Sequence, residues 1–348
     1  MTTQPTGGVD NVTMAPTTPR YYYVLPIAGQ SNAMAYGEGM PLPDTLDAPH
    51  PRIKQLARRA TETPYGPPCH YNQVIALDHC PHDVQDMSRF THPHADARRG
   101  EYGCVAQALH IGKTLLPYLP AEAGILIVPC ARGGSAFTQG NLGAYHPARG
   151  ATADACRWGV ATPLYQDLCD RTRAALRHNP DNRLLALIWM QGEFDLTTAE
   201  YARQPALFQA MVARFRADMA DMAPQMAGGR ADRVPWICGD TCAYWQTTYP
   251  RQYATIYGAY RHCPLPALHF VPLMYDAQGM ATPSNAPADD PDNPAMHYYG
   301  AASRDASNWT TALRAAHFSA PARRSLIPER LVAAILRHAP LPAETTGG

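Results

Sequence analysis

The stretch Tyr21-Tyr22-Tyr23-Val24-Leu25-Pro26-Ile27-Ala28-Gly29-Gln30-Ser31-Asn32 decides the architecture. Aromatic and branched side chains run without a charged break to Ala28, the composition of a strand buried on both faces, and Gly29 ends it. A first strand is therefore predicted over Tyr21 to Ala28. Four further apolar runs share its character: Gly124 to Cys130, Leu184 to Met190, Val234 to Gly239 and Leu268 to Leu273. Helical patterns fall between them, at Tyr102 to Leu116, from a Thr162 cap and Pro163 to about His178, and at Ala199 to Met222, Arg251 to Arg261 and Arg324 to Arg337. Strands alternating with helices predict an α/β fold: a mainly parallel sheet of about five strands between two helical layers, with ligands gathered at the carboxyl ends of the strands.

Composition narrows the function. The chain has 348 residues, 46% hydrophobic and 17% charged, enough apolar surface for a sizeable core. Its 29 basic and 29 acidic side chains cancel, so no basic field holds a nucleic acid. No apolar run approaches the ~18 residues of a membrane helix. Met1 to Arg20 is rich in Thr, Pro and Gly without a cationic start or an apolar segment, so it reads as a flexible extension rather than a signal peptide. That favours the cytoplasm, with the periplasm as the alternative. One domain is expected over residues 21–338, then a flexible tail over 339–348, in a monomeric protein. The nine cysteines, scattered from Cys69 to Cys263, suit reduced thiols. The 34 prolines imply long ordered loops, and Pro41 to Gly100 and Ala277 to Asn308 are too irregular for core and should drape over the catalytic edge.

The strand ends carry the chemistry. Ser31, at the turn after strand one, is either an exposed nucleophile or a helix cap. Pro129-Cys130-Ala131-Arg132-Gly133-Gly134-Ser135 lets backbone N–H groups approach a ligand oxygen, as an oxyanion or phosphate cradle or as a plain turn; it lacks the Gly-Lys-Ser/Thr of a phosphate loop. Met190-Gln191-Gly192-Glu193-Phe194-Asp195 delivers polar groups after the third run, and capping of the next helix is the favoured role for Glu193 and Asp195. His317, in a loop before the last helix, is an ordinary solvated imidazole unless it supplies the base that a serine nucleophile requires. Cys69, His70, His79, Cys80, His82, His92 and His94 are metal-ligand types without the spacing of short zinc clips, so no metal and no other cofactor is expected. Cys238 and Cys242 read as buried small side chains.

Taken in order, Gly29-Gln30-Ser31-Asn32, Arg132-Gly133-Gly134-Ser135, Gln191-Gly192-Glu193 and His317 resemble the blocks of SGNH hydrolases, in their carbohydrate-esterase branch. The segments Ala28 to Gly39, His79 to Met87, Ile125 to Thr138, Met190 to Leu196 and Asn308 to Ser319 are similar to the sialate O-acetylesterases, and the resemblance covers Tyr21 to Leu336. It implies a flavodoxin-like three-layer fold and a serine esterase acting on acetylated sialic acid, a small molecule. Ser31 and His317 would be catalytic. The backbone N–H groups of Ser31 and Gly134, with the Gln191 amide, would form the oxyanion hole, and Gly133 is the alternative donor. Many members carry Asp three residues before the histidine; here Arg314 stands there, implying a Ser31–His317 dyad whose imidazole is oriented by a backbone carbonyl or another acceptor. Arg132 and Arg314 are the candidates for gripping the sialate carboxylate. Activity on another acetylated carbohydrate, or sugar binding without catalysis, are the other readings.

Overall fold

The computed structural model describes residues 18–35, 37–38, 41–63, 66–82, 104–152, 156–275, 278–280 and 316–341. Besides two short antiparallel pairs, Gly37–Glu38 with Cys104–Val105 and Tyr145–His146 with Gly150–Ala151, the described residues hold the strands β1 (Tyr21–Gly29), β2 (Ile53–Leu56), β3 (Val74–Ala76), β4 (Ala123–Pro129), β5 (Arg183–Leu184), β6 (Leu187–Met190), β7 (Trp236–Gly239) and β8 (Leu268–Val271). β1 to β8 form one sheet in the order β8-β7-β6-β1-β4-β2-β3, with β5 also paired to β1. Within this sheet every pairing is parallel except that of β2 with β3. β1 pairs with β4 from Tyr21↔Ala123 to Ile27↔Pro129 and with β6 from Ile27↔Ile188 to Gly29↔Met190. After β1 the chain lays down β2 and β3 on one side, returns to insert β4 between β1 and β2, and then crosses to the β6 side. The carboxyl end of β1 is therefore the switch point where a crevice opens in such sheets.

Alternation along β1 divides the core. Tyr22, Val24 and Ala28 pack in one cluster with Leu168 of α2 (Pro163–Arg177), Phe208 of α3 (Gln204–Asp218) and Tyr260 of α4 (Pro250–Arg261). Tyr23, Leu25 and Ile27 face the other way, onto Leu109 of α1 (Ala108–Leu115) and Leu331 of α5 (Leu326–His338). The three-layer sandwich expected from the sequence is present. All five expected strands are found, and the Thr162 side chain caps α2 by accepting from Tyr165 N.

Other expectations need correction. Ile53 and Leu56, within a stretch read as too irregular for core, are fully buried in β2. Four residues among prolines and histidines carry too little periodicity to announce a strand. The helix expected from Tyr102 begins only at Ala108, and the one expected over Ala199 to Met222 is broken into a 3-10 turn at Tyr201–Arg203 and α3. The tail expected to be free from residue 339 starts with Ala339 buried and Leu341 packed on the second core. Residues 1–17, 83–103 and 281–315 lie outside the described residues, as do most of the expected extension and most of the second irregular stretch. Among the described residues no helix is long and apolar enough to cross a membrane.

Candidate active site

Gly29 ends β1 at φ +133°, and a Cβ there would lie 1.9 Å from the Met190 carbonyl oxygen, so only glycine permits this approach of β1 to β6. The chain then makes a single 3-10 turn, Ser31–Ala33, instead of entering the helix expected there. One turn provides little dipole, so the setting of Ser31 comes from neighbouring strand ends. Ser31 is 9% exposed, and its hydroxyl makes no hydrogen bond among the described residues.

The turn after β4 is stitched to this one through a single carbonyl. Gly29 O accepts from Arg132 N at 3.1 Å, Ser135 Oγ at 3.0 Å and Trp158 Nε1 at 3.2 Å. Trp158 Nε1 also reaches Ser135 Oγ at 2.9 Å. Gly134 has φ +65°, with open space where a Cβ would project. Among the described residues the backbone N–H groups of Ser31, Gly133 and Gly134 donate to nothing, which leaves them available to a developing oxyanion. Arg132 lies half-buried at the start of this turn, its Nη1 donating to Gly133 O at 3.3 Å.

Gln191 departs from expectation. Its Nε2 donates to Ser135 O at 3.3 Å and to Asp195 Oδ2 at 2.5 Å, while its Oε1 accepts from Gln204 Nε2 at 3.1 Å. Both amide hydrogens are engaged inside the protein, so in this arrangement Gln191 braces the Ser135 turn from behind rather than offering a donor to an oxyanion. Asp195, four residues on, is the acceptor that captures it.

Nor do Glu193 and Asp195 cap the short helix Glu193–Leu196. Asp195 accepts from Phe137 N, Thr138 N, Thr138 Oγ1 and Gln191 Nε2, fastening the loop that follows Gly134. Glu193 Oε1 accepts from Asn32 Nδ2 and Thr241 Oγ1, each at 2.9 Å. Both carboxyls are buried; desolvation pushes them above the ordinary carboxylate range, and the hydrogen bonds they accept oppose the rise.

The loop carrying His317 is clamped to the Ser31 turn. Asn32 Nδ2 donates to Ala316 O at 3.2 Å and Asn32 Oδ1 accepts from Phe318 N at 3.0 Å, so one side chain grips both peptide neighbours of the histidine. Trp245 Nε1 donates to Ala316 O at 2.8 Å. The buried Arg323 donates to Phe318 O at 3.2 Å, Asn32 O at 3.2 Å, Met34 O at 2.5 Å and Gln107 Oε1. Burial, with Arg323 second, pushes His317 down to about 3, so the resting imidazole is neutral. Arg314 lies outside the described residues.

Of the suspected zinc ligands, Cys69 Sγ donates to Arg59 O, and the His82 ring meets Arg58 N and Glu62 O. His92 and His94 lie outside the described residues, among which no group of three or more His, Cys, Asp or Glu side chains could hold a metal ion. Sequence reasoning missed Asn32, Thr241, Trp245 and Arg323. Asn32 was visible inside the Gly-Gln-Ser-Asn block, whereas Arg323 follows Ala-Pro-Ala with no signature at all.

Residues 22–229 match the family described as carbohydrate esterase, sialic acid-specific acetylesterase. The chain belongs to this family. Among relatives of this acetylesterase is a probable 9-O-acetyl-N-acetylneuraminic acid deacetylase of Escherichia coli K12, 56% identical over 320 residues, which cover 92% of this chain and 97% of the relative. The crystal structure of NanS superposes with a TM-score of 0.85 at 55% identity, covering 92% of this chain and 98% of the other. A protein of Arabidopsis thaliana shares the fold alone, at a TM-score of 0.51 and 15% identity, over 90% of this chain and 98% of the other. The acetylesterase is thus a carboxylic ester hydrolase of the carbohydrate-esterase class.

Proposed function

We propose that this acetylesterase removes the 9-O-acetyl group of N-acetylneuraminate, with Ser31 as nucleophile and His317 as general base. The neutral His317 imidazole takes the Ser31 proton as Oγ bonds to the acetyl carbonyl carbon, and the carbonyl oxygen becomes an oxyanion facing the free N–H groups of Ser31 and Gly134, with Gly133 as the alternative second donor. His317 returns the proton to the sugar O9 as the ester bond breaks. It then deprotonates the water that attacks the acetyl-Ser31, and acetate leaves with the enzyme restored. Arg132 at the rim, with Arg314, would pair with the sialate carboxylate, since a chain of zero net charge needs local cations to select an acidic sugar.

The observation that carries this reading is the Asn32 clamp, which seats the His317 loop on the residue beside Ser31. Acetate release from 9-O-acetyl-N-acetylneuraminate tests it. Ser31→Ala and His317→Ala should each lower kcat by about 10⁴-fold or more. Arg132→Ala should narrow the preference for acetylated sialate over an acetylated neutral sugar. Retained turnover in the Ser31 variant would remove the nucleophile assignment, and an unchanged preference would remove the Arg132 role.

A further inference from the structure

The dyad lacks a carboxylate three residues before its histidine, since Arg314 stands there. Resting on the Ser31–His317 reading, we infer that Glu193 takes over the positioning duty of the absent acid, acting through Asn32 rather than touching the imidazole. Its Oε1 accepts from Asn32 Nδ2 at 2.9 Å and from Thr241 Oγ1 at 2.9 Å, so the carboxyl is held from β7's following turn and in turn helps to fix the rotation of the Asn32 amide. That amide is two-ended. With Nδ2 directed at Glu193 and Ala316 O, Oδ1 is left facing Phe318 N, and a flipped amide would set a donor against a donor at Phe318 and an oxygen against two acceptors at Ala316 and Glu193. Arg323 Nη2 supports the same orientation by donating to Asn32 Oδ1 at 3.2 Å, and Glu193 adds the one side-chain acceptor on the Nδ2 end, so it helps to hold the amide orientation that grips both sides of His317.

Burial makes this orientation firm. Glu193, Asn32 and Thr241 are all buried, where a mismatched polar contact is costly because water cannot replace the lost partner. The duty requires an acceptor at Oε1 and no net charge, because Asn32 and Thr241 can donate to a carboxylate, a carboxylic acid or a carboxamide oxygen alike. Glu193 is a positioning residue, and its contribution passes through Asn32.

Steady-state kinetics on 9-O-acetyl-N-acetylneuraminate tests this with Glu193→Gln, Glu193→Leu, Asn32→Ala and the Glu193→Leu/Asn32→Ala double variant, each checked for cooperative thermal unfolding. Glu193→Leu should lower kcat about 10-fold to 100-fold with KM within about twofold, as expected for a misplaced base. Glu193→Gln, which keeps the acceptor, should stay within about threefold of the parent. In the Asn32→Ala background the Leu substitution should add less than about twofold. Effects that multiply in the double variant, a loss in KM alone, or a Gln variant as impaired as the Leu variant would each overturn the inference; should Glu193→Leu not fold, Glu193→Ala takes its place beside Glu193→Gln, and equal turnover in the Ala and Gln variants would overturn it. Ser31→Ala and His317→Ala separate this from the underlying reading. If they are inactive while all Glu193 variants turn over normally, the positioning role alone fails; if they remain active, the dyad fails first.

Discussion

Asn32 and Phe318, 286 positions apart in the chain, are joined by a 3.0 Å hydrogen bond from the Phe318 amide to Asn32 Oδ1. With the 3.2 Å bond from Asn32 Nδ2 to Ala316 O, it places the histidine between two points of attachment on the residue beside the nucleophile. Asn32→Leu keeps the volume and removes both points. Its kcat should fall about 100-fold, because a shift of about 1 Å in a catalytic base is enough for that loss. Acetate-release kinetics beside a circular-dichroism melt checks it: a large fall in kcat without unfolding is the expected outcome.

Asp195 gathers the amides of Phe137 and Thr138, the Thr138 hydroxyl and the Gln191 amide around one buried carboxylate. Asp195→Ala leaves the Phe137 and Thr138 amides without this acceptor, while the Thr138 hydroxyl keeps Thr198 Oγ1 and the Gln191 amide keeps only Ser135 O. Urea unfolding should show a loss of about 3 kcal/mol or more, and turnover should fall as the loop after Gly134 loosens. Stability within about 0.5 kcal/mol of the parent would mean that the loop is held by something else.

At Gly29 the smallest possible change should be severe. Gly29→Ala drives a methyl group onto the Met190 carbonyl while requiring a φ of +133° that an L side chain resists. The expected result is insoluble protein or a melting temperature lower by at least about 5 °C. Gly134→Ala makes the contrast, since open space surrounds the added carbon and only its φ of +65° opposes it; it should melt closer to the parent.

Two sets of buried groups pull stability in opposite directions with pH. Burial pushes His82 down to about 4 and His317 to about 3, so below about pH 6.5 the unfolded chain binds protons that the fold refuses, and this contribution falls as pH drops from 6.5 through about 4 for His82 and about 3 for His317. Asp240 has the reverse sign: burial raises it to about 7, so its proton stabilises the fold at low pH and that contribution is lost as pH rises from about 4 to 7. Asp240→Asn removes the second effect. Its melting temperature relative to the parent should therefore climb between pH 5 and pH 8, and a difference that stays flat would show that Asp240 titrates normally in the fold.

Strand positions were readable because β1, β4, β6, β7 and β8 are apolar runs bounded by glycine, proline or polar clusters, and such runs have few other uses in a chain of this composition. The same reasoning passed over β2, whose Ile53 is buried beside β4 and under Gly112 of α1 and whose Leu56 is buried where β2 pairs with β3, contacts that a one-dimensional pattern does not show. It also placed Ser31, Gly134, Gln191 and His317 at strand ends or a loop, yet misjudged what the block around Gln191 does. A carboxylate close behind a helix start looks like a cap in one dimension. In three dimensions Glu193 and Asp195 face partners 161 and 57 or 58 positions away.

By itself, then, the sequence determined which residues are apolar enough to make the sheet and which polar residues follow its strands, because hydrophobic patterning and glycine stereochemistry are local properties of a chain. Tertiary structure alone decided which donor meets which acceptor: that Asn32 holds both neighbours of His317, that Asp195 takes the Gln191 amide, and that Arg323 ties Phe318 to the Ser31 turn. Those pairings are directional contacts of a few ångströms between distant segments, and they exist only once the sheet has brought its strand ends to one edge.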